Sequence, residues 1–169
     1  MAAGEIGEIV GRSPVIMQGY LNQPAKTAET FWHDSTGKRF VRTGDVGRFD
    51  SDGFLTLMDR KKDMIISGGF NIYPSDLEAV LTGHGDVVEA AVVAMPSEEW
   101  GETPVAFVVL KPGAATSATD LKAWTNSRVG KFQRLADVHL VETLPRSAIG
   151  KVLKRELRDK RLAAQGVEV

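Results

Sequence analysis

The sequence contains no cysteine, which excludes disulfide bonds and zinc sites built on cysteine. It also has no apolar run long enough to cross a bilayer. Residues 1–5 lack the basic and apolar regions of a signal peptide. A chain without cysteine fits a cytoplasmic protein, and this is the location we expect.

There is also little net charge, −1 over 169 residues, so no overall field points to nucleic acid or a membrane surface as a partner. The charge is uneven, however, because residues 146–161 carry seven basic side chains and two acidic ones. This segment is either a solvated helix face with ion pairs inside the helix or a surface that attracts phosphates.

The composition is that of a folded globular protein, with 43% hydrophobic and 25% charged residues. A chain of 169 residues is long enough for one ordinary domain, or for a small domain and a piece of another.

Local patterns predict mainly strands before residue 63 and alternating strands and helices after it. Five charged residues at 59–63 predict an exposed link, because a buried strand does not hold such a run. The second half indicates a compact α+β unit with helices packed on a small sheet. The predicted strands are short ones within 5–17, then 40–45 (ending in a turn), 54–58, 64–66, 87–95, 105–110 and 138–141; a hairpin turn lies at 50–53, a polar loop at 96–102, and helices at 25–32, from Pro74 to Gly83, 120–129 and 151–165.

Two charged stretches in the first half can carry chemistry. In Arg42-Thr43-Gly44-Asp45, the carboxylate either accepts two hydroxyl hydrogen bonds, as from a ribose diol, or merely caps a turn. In 59–63, the charged run is either an exposed turn or a hinge whose arginine reaches a nucleotide.

Two further stretches lie in the second half. The glycines of Ser67-Gly68-Gly69 let another molecule approach the backbone, or serve a tight turn with positive φ. The loop that ends in Gly150-Lys151 either delivers an ammonium group to a developing negative charge or presents a lysine at a helix start to water.

The remaining candidate residues give weaker evidence of a functional site. Trp100, in a polar loop, either packs on the core or forms a wall of a ligand channel. The three histidines, His33, His84 and His139, have no metal-ligand spacing.

The order of five motifs is more specific than any one of them. It closely resembles the C-terminal part of the adenylate-forming superfamily, which comprises acyl- and aryl-CoA synthetases, peptide-synthetase adenylation domains and beetle luciferases. The resemblance extends from Gly4 to about Arg161. The motifs are Arg-Thr-Gly-Asp (42–45), Arg-x-Lys-Asp (60–63), Gly-Gly-x-Asn-Ile-x-Pro (68–74), Trp-Gly-Glu (100–102) and Leu-Pro-Arg-x-x-x-Gly-Lys (144–151).

The resemblance implies a fold and two half-reactions. Such enzymes form an acyl adenylate from ATP and a carboxylic acid, and a thiol, usually that of CoA, then displaces AMP. It implies that residues 1–61 are a β-rich remnant of the large N-terminal domain and that 62–169 are the mobile C-terminal domain, with a hinge at Lys62. The family's phosphate loop and acyl pocket lie upstream, so we expect the chain alone to be inactive.

The resemblance also implies residue roles. Asp45 matches the aspartate that binds both ribose hydroxyls, Arg60 the arginine that contacts the ribose, and Lys151 the lysine that bridges the carboxylate and the α-phosphate. In the second step Gly69 and Trp100 match positions along the pantetheine tunnel. Phe132 falls against the CoA adenine and Arg134 near the CoA phosphates. Residues 130–135 depart from the family's commoner Tyr-Lys-x-Pro pattern, and Ile149 replaces its usual threonine.

The expected function is therefore the C-terminal part of a carboxylic acid:CoA ligase that uses ATP and CoA. Mg²⁺ is expected through the N-terminal domain, without metal ligands in this chain. One alternative is an adenylation domain that does not use CoA; Trp100, and a chain end with no carrier domain after it, favour the CoA ligase. The other is an acceptor module whose Lys151 is acylated by a protein acyltransferase.

Overall fold

The computed structural model describes residues 2–164 and 166. The chain divides between Lys62 and Asp63 into two compact units.

The first unit is a four-stranded antiparallel sheet with one short helix. The long strand β3 pairs with each of the other three strands and therefore lies in the middle of the arrangement. The elements are β1 (Gly7–Gly11), α1 (Pro24–Thr30), β2 (Phe31–His33), β3 (Arg39–Phe49) and β4 (Leu55–Arg60).

The predicted hairpin turn at 50–53 is confirmed. One carboxylate oxygen of Asp50 accepts hydrogen bonds from the N–H groups of Asp52, at 3.0 Å, and Phe54, at 2.8 Å. Gly53 has a φ of +84°, in the left-handed region that glycine adopts without steric cost.

Three expectations for this unit were wrong. The helix predicted over 25–32 ends at Thr30, because Phe31 and Trp32 pair with β3 instead. The strand predicted to end in a turn at Asp45 continues to Phe49. The charged run at 59–63 is not wholly a link, since its first two residues belong to β4.

The second unit is a five-stranded sheet with three helices. β8 pairs with β7 along one edge and with β5 and the parallel strand β9 along the other. The elements are β5 (Ile65–Ser67), β6 (Phe70–Ile72), α2 (Pro74–Thr82), β7 (Val87–Ser97), β8 (Gly101–Leu110), α3 (Ala118–Asn126), a 3₁₀ turn (Lys131–Gln133), β9 (Asp137–Leu140) and α4 (Lys154–Ala164).

The β7–β8 hairpin is apolar on both faces, and each face supports its own core. Successive side chains of a strand point to opposite faces, so neighbours such as Val92 and Val93 enter different clusters. Val92 packs in the cluster that contains Leu77 of α2. Val93 packs in the cluster that contains Leu157 of α4. The α+β prediction, with helices packed on a small sheet, is confirmed.

The ends of several elements in this unit differ from expectation. The hairpin strands reach Ser97 and start again at Gly101, so the polar loop predicted at 96–102 shrinks to a turn. The short strand β6 was missed. The last helix starts at Lys154, not at Lys151, and residue 165, included in that predicted helix, lies outside the described residues. In residues 2–164 and 166, no helix is both long and apolar enough to cross a bilayer.

The side chain of Thr125, in α3, gives a direct test of this packing. It is fully buried, and its hydroxyl oxygen has no hydrogen-bond partner among the described residues. Thr125→Val should raise the free energy of unfolding by about 1 kcal/mol, because valine keeps the shape and removes an unsatisfied polar group. Urea denaturation of the chain measures this.

The matched control is Thr125→Ala, which also removes a methyl group and should lower the free energy of unfolding by leaving a cavity. A valine variant that is less stable than the wild type would contradict the prediction, because it would mean that the hydroxyl makes a stabilising contact.

Candidate functional site

Two of the predicted nucleotide-binding side chains meet where β4 ends beside β3. Asp45 of β3 lies directly opposite Arg60 of β4 in the antiparallel register. Arg60 Nε is 3.2 Å from Asp45 Oδ1, and both side chains are partly exposed. The carboxylate therefore pairs with a guanidinium instead of capping a turn, and both groups are open to a ligand.

The backbone around Asp45 is fixed by its neighbours. Gly44 has a φ of +75°, and its carbonyl accepts a hydrogen bond from the N–H of Lys61 at 2.8 Å. The hydroxyl of Thr43 donates to the carbonyl of Ile9 at 2.8 Å and accepts from the N–H of Asp45 at 3.1 Å. These contacts tie the motif to both β1 and the end of β4.

Lys62, the predicted hinge residue, is exposed in the turn that follows β4. Its neighbour Lys61 forms an ion pair with Glu8, 2.9 Å from Nζ to Oε2. Within the described part of the chain, no ion pair involves Lys62.

Lys151 lies in a tight loop in front of α4. The loop closes where Arg146 pairs with Val152 as an isolated β-bridge. Inside it, the N–H of Ser147 donates to the carbonyl of Lys151 at 2.8 Å, and Gly150 has a φ of +81°. Lys151 is exposed, so its ammonium group projects from a folded loop and not from a helix start.

In the described part of the chain, the basic segment 146–161 makes one ion pair inside the helix, as one of the two interpretations of the sequence expected, and three with other elements of the second unit. Among the described residues, the pair inside the helix joins Arg155 to Asp159 at 3.4 Å. The other pairs join the segment to β7, α2 and β9: Arg146 to Glu89, Lys154 to Glu78 at 2.8 Å and Arg161 to Asp137 at 3.6 Å.

Three of the four predicted CoA-binding residues line one cleft of about 310 Å³ in the second unit. They are Trp100, Phe132 and Arg134, and Lys131 and Ser67 line the same cleft. Trp100 is 40% exposed, so it forms a wall of the cleft and is not a core residue.

Of the two glycines in Gly68-Gly69, it is Gly68 that packs against Trp100. A Cβ atom on Gly68 would lie 2.6 Å from Trp100 Cε3, whereas one on Gly69 would meet nothing within 4 Å. The N–H of Gly68 also donates to the carbonyl of Trp100 at 2.9 Å. Gly69 is not among the residues that line the cleft.

Phe70 was missed as a site residue. Its ring stacks on that of Phe132, with centroids 4.0 Å apart and ring planes at 18°, and both side chains are about half exposed. The sequence contained one indication of a role for Phe70, since it directly follows Gly68-Gly69 inside a motif. Its stacking partner lies 62 positions further along the chain, so the sequence did not indicate the contact.

The Lys151 loop and the cleft lie at opposite ends of the β7–β8 hairpin. Arg146 of the loop contacts Glu89, near the start of β7. The cleft includes Ser97, at the end of the same strand. Eight residues of strand at about 3.3 Å each put the two ends roughly 26 Å apart.

In residues 2–164 and 166, no three groups of the ligand types His, Asp and Glu come together. His139 packs on the ring of Phe107, and its Nε2 lies 3.1 Å from Asp137 Oδ2 without hydrogen-bond geometry. Burial lowers the pKa of His139; Asp137 opposes this shift and Arg161 adds to it.

Gly68 and Gly69 form a matched pair for testing the contact with Trp100. Both have positive φ, +55° and +83°, so an alanine at either position carries the strain of a left-handed residue, about 1–2 kcal/mol. Only Gly68→Ala also forces the indole ring to move. Gly68→Ala should therefore destabilise the chain more than Gly69→Ala in urea denaturation.

The indole itself provides the second measurement. In a Trp32→Phe, Trp124→Phe background, Gly68→Ala should shift the emission of Trp100 and Gly69→Ala should leave it unchanged. Equal shifts in the two variants would contradict the close contact at Gly68.

Residues 76–151 match the family model of the AMP-binding enzyme C-terminal domain. A 2-succinylbenzoate–CoA ligase of Geobacillus kaustophilus is 45% identical over 157 residues, which are 93% of this chain and 31% of that ligase. The chain thus spans about a third of the length of this relative.

Three solved structures extend the comparison. The crystal structure of ATP-bound MatB from Rhodopseudomonas palustris has a TM-score of 0.87 at 34% identity, over 95% of this chain and 31% of that one. The crystal structure of apo MatB has a TM-score of 0.65, over 97% of this chain and 32% of that one. The structure of the amide bond synthetase McbA of Marinactinospora thermotolerans has a TM-score of 0.82 at 39% identity, over 95% of this chain and 32% of that one. These findings confirm the resemblance read from the motifs: the chain belongs to the adenylate-forming AMP-binding enzymes and carries their C-terminal domain.

Proposed function

We propose that this chain is the C-terminal part of an ATP-dependent carboxylic acid:CoA ligase. The observation that carries the proposal is the separation of two chemically different sites on one hairpin. A loop with an exposed lysine lies at one end and an aromatic cleft with basic side chains at the other, roughly 26 Å apart. This separation suits an enzyme that runs two different reactions in turn.

In the first half-reaction, a carboxylate oxygen of the acid attacks the α-phosphorus of ATP and pyrophosphate leaves. Asp45 accepts hydrogen bonds from the ribose hydroxyls, and Arg60, 3.2 Å away, keeps the carboxylate oriented and contacts the ribose. The Lys151 ammonium bridges the carboxylate and the α-phosphate, where it stabilises the negative charge that develops in the transition state.

In the second half-reaction, the thiol of CoA attacks the acyl carbon and AMP leaves. The pantetheine arm passes along Trp100, which lines the cleft and packs on Gly68. The adenine stacks on Phe132, whose ring is half exposed. Arg134 and Lys131, which line the same cleft, pair with the phosphates.

The two sites lie at opposite ends of the hairpin, and a turn of the second unit between the steps brings each of them in turn to the same acyl group. Lys62, in the turn at the boundary between the two units, is the proposed hinge, with residues 1–61 as the end of the large domain. The two MatB structures support such a movement. At the same identity of 34%, the ATP-bound structure has a TM-score of 0.87 against this chain and the apo structure one of 0.65.

ATP and CoA are the proposed cosubstrates. Mg²⁺ and the acyl group of the carboxylic acid bind to residues outside this chain. The Geobacillus relative is a CoA ligase, which supports the use of CoA. The cytoplasmic location stays a prediction from the sequence.

An adenylating enzyme that does not use CoA is the second candidate, and the likeness to an amide bond synthetase favours it. In that case an amine takes the place of the thiol, and the aromatic cleft binds no CoA. The acylation of Lys151 by a protein acyltransferase stays a prediction from the sequence and has no support from the contacts of the loop.

Lys151→Ala in the full-length enzyme that contains this chain tests the first step. Adenylate formation, measured by ATP–pyrophosphate exchange, should fall by at least about 10²-fold, because a positioned charge at the reacting phosphate is lost. Thioester formation from a supplied acyl adenylate should continue at the wild-type rate.

Lys160→Ala, an exposed lysine of α4, is the matched control and should change neither step. If both steps survive Lys151→Ala, the lysine is an ordinary surface residue and the proposed first step is wrong. Pyrophosphate exchange by the 169-residue chain alone would contradict its proposed role as part of a larger enzyme.

Phe132→Ala tests the second step and separates the two candidate functions. Loss of one base–aromatic stack should raise KM for CoA about tenfold and leave KM for pantetheine, which has no adenine, unchanged. Phe132→Tyr keeps the ring and is the matched control. Equal changes for both thiols would contradict adenine stacking, and product formation with an amine but no thiol would favour the amide synthetase.

A further inference from the structure

We infer that Glu89, acting through Arg146, is a positioning residue for Lys151 in the first half-reaction. The inference rests on the proposed function of Lys151. Glu89 belongs to none of the five motifs. Its positioning role is inferred from a chain of contacts between β7 and the loop. One arginine bridges the two: its Nη2 contacts Glu89 Oε2, and its Nη1 donates to the carbonyl of Gly150 at 2.7 Å.

The carbonyl of Gly150 belongs to the same peptide plane as the N–H of Lys151. Arg146 holds the carbonyl end of this plane, and Ser147 Oγ accepts from the N–H end at 3.2 Å. Because a peptide is planar, fixing both ends fixes its orientation. The plane in turn sets the direction in which the lysine side chain leaves the loop.

Gly150 makes this support necessary. Its φ of +81° lies in a region that glycine leaves and enters easily, so the residue before Lys151 has no intrinsic preference for the observed conformation. The hydrogen bond from Arg146 stabilises that one conformation among those open to a glycine.

Glu89 connects the arginine to a rigid part of the unit. The strand continues from Glu89 into the buried residues Ala91 and Val92. The pairing of β7 with β8 shifts register between Val87 and Glu89, which indicates a β-bulge at Val88. Bulges change the direction of side chains, and here the glutamate beside the bulge reaches the loop.

The pair uses the geometry of the guanidinium group. Arg146 makes its two contacts with different nitrogens, which a lysine cannot do because it has a single donor atom. Arg146 and Glu89 are both partly exposed, at 45% and 29%. The pair is therefore expected to act by orientation more than by adding stability.

The experiment measures both half-reactions in the full-length enzyme with Glu89→Ala, Arg146→Ala and the double variant. Glu89→Ala should lower kcat for adenylate formation about fivefold, as the loss of one oriented charge-assisted contact does, and leave thioester formation from a supplied acyl adenylate unchanged. If Glu89 acts through Arg146, the double variant should be no slower than Arg146→Ala alone.

Two further variants keep the test decisive. Arg146→Lys keeps the charge and should behave like Glu89→Ala in the first step, even if Arg146→Ala does not fold. In a Lys151→Ala background, Glu89→Ala should cause no further loss. Lys160→Ala is again the control and should leave both steps unchanged.

Three results would overturn the inference. The first is an unchanged rate of adenylate formation in Glu89→Ala, and the second is an equal loss of rate in both half-reactions. The third is a double variant whose loss of rate is the product of the losses in the two single variants. These are distinct from failure of the proposed function. If Lys151→Ala abolishes adenylate formation and Glu89→Ala has no effect, only the positioning role is wrong. If Lys151→Ala itself has no effect, the proposed function of the loop fails first.

Discussion

The antiparallel pairing of β7 with β8 is the constraint on which the second unit depends. Both faces of this hairpin are apolar, so neither can face water. On one face, residues of α2, α3 and β5 pack with Val92 and Val108. On the other face, residues of α4 and Leu144 pack with Val93 and Phe107. A strand that is buried on both sides reads as a continuous apolar run. This is why the same few residues determine where three helices pack.

The hairpin also sets the distance between the two candidate sites. The turn that follows Ser97 carries Trp100 to the cleft, and the bulge at the far end aims Glu89 at the Lys151 loop. Because a paired strand does not shorten or bend easily, the separation is a fixed property of the unit. A reaction that needs both sites at the same acyl carbon therefore requires movement of the whole unit, and a flexible loop inside it is not sufficient.

Periodicity and composition predicted the interior of the fold well and its edges poorly. The apolar runs of β7 and β8 and the spacing of Leu77 and Leu81 identify buried elements, because burial leaves a pattern in neighbouring residues. The end of β7 was missed since Pro96 and Ser97 read as a loop, although they pair across the hairpin. Contacts between distant residues leave no local pattern at all, and the stack of Phe70 on Phe132 is one of them.

The Lys151 loop combines restraint of its backbone with exposure of its cation. Ion pairs of Arg146 with Glu89 and of Lys154 with Glu78 hold the loop on both sides of the lysine. Among the residues that the structure describes, Lys151 itself forms no ion pair. A charge that is already paired would have to break that contact before it could bind a phosphate. Restraint by the neighbouring charges avoids this cost, since the backbone is held while the ammonium group stays exposed, which is what the proposed role of Lys151 requires.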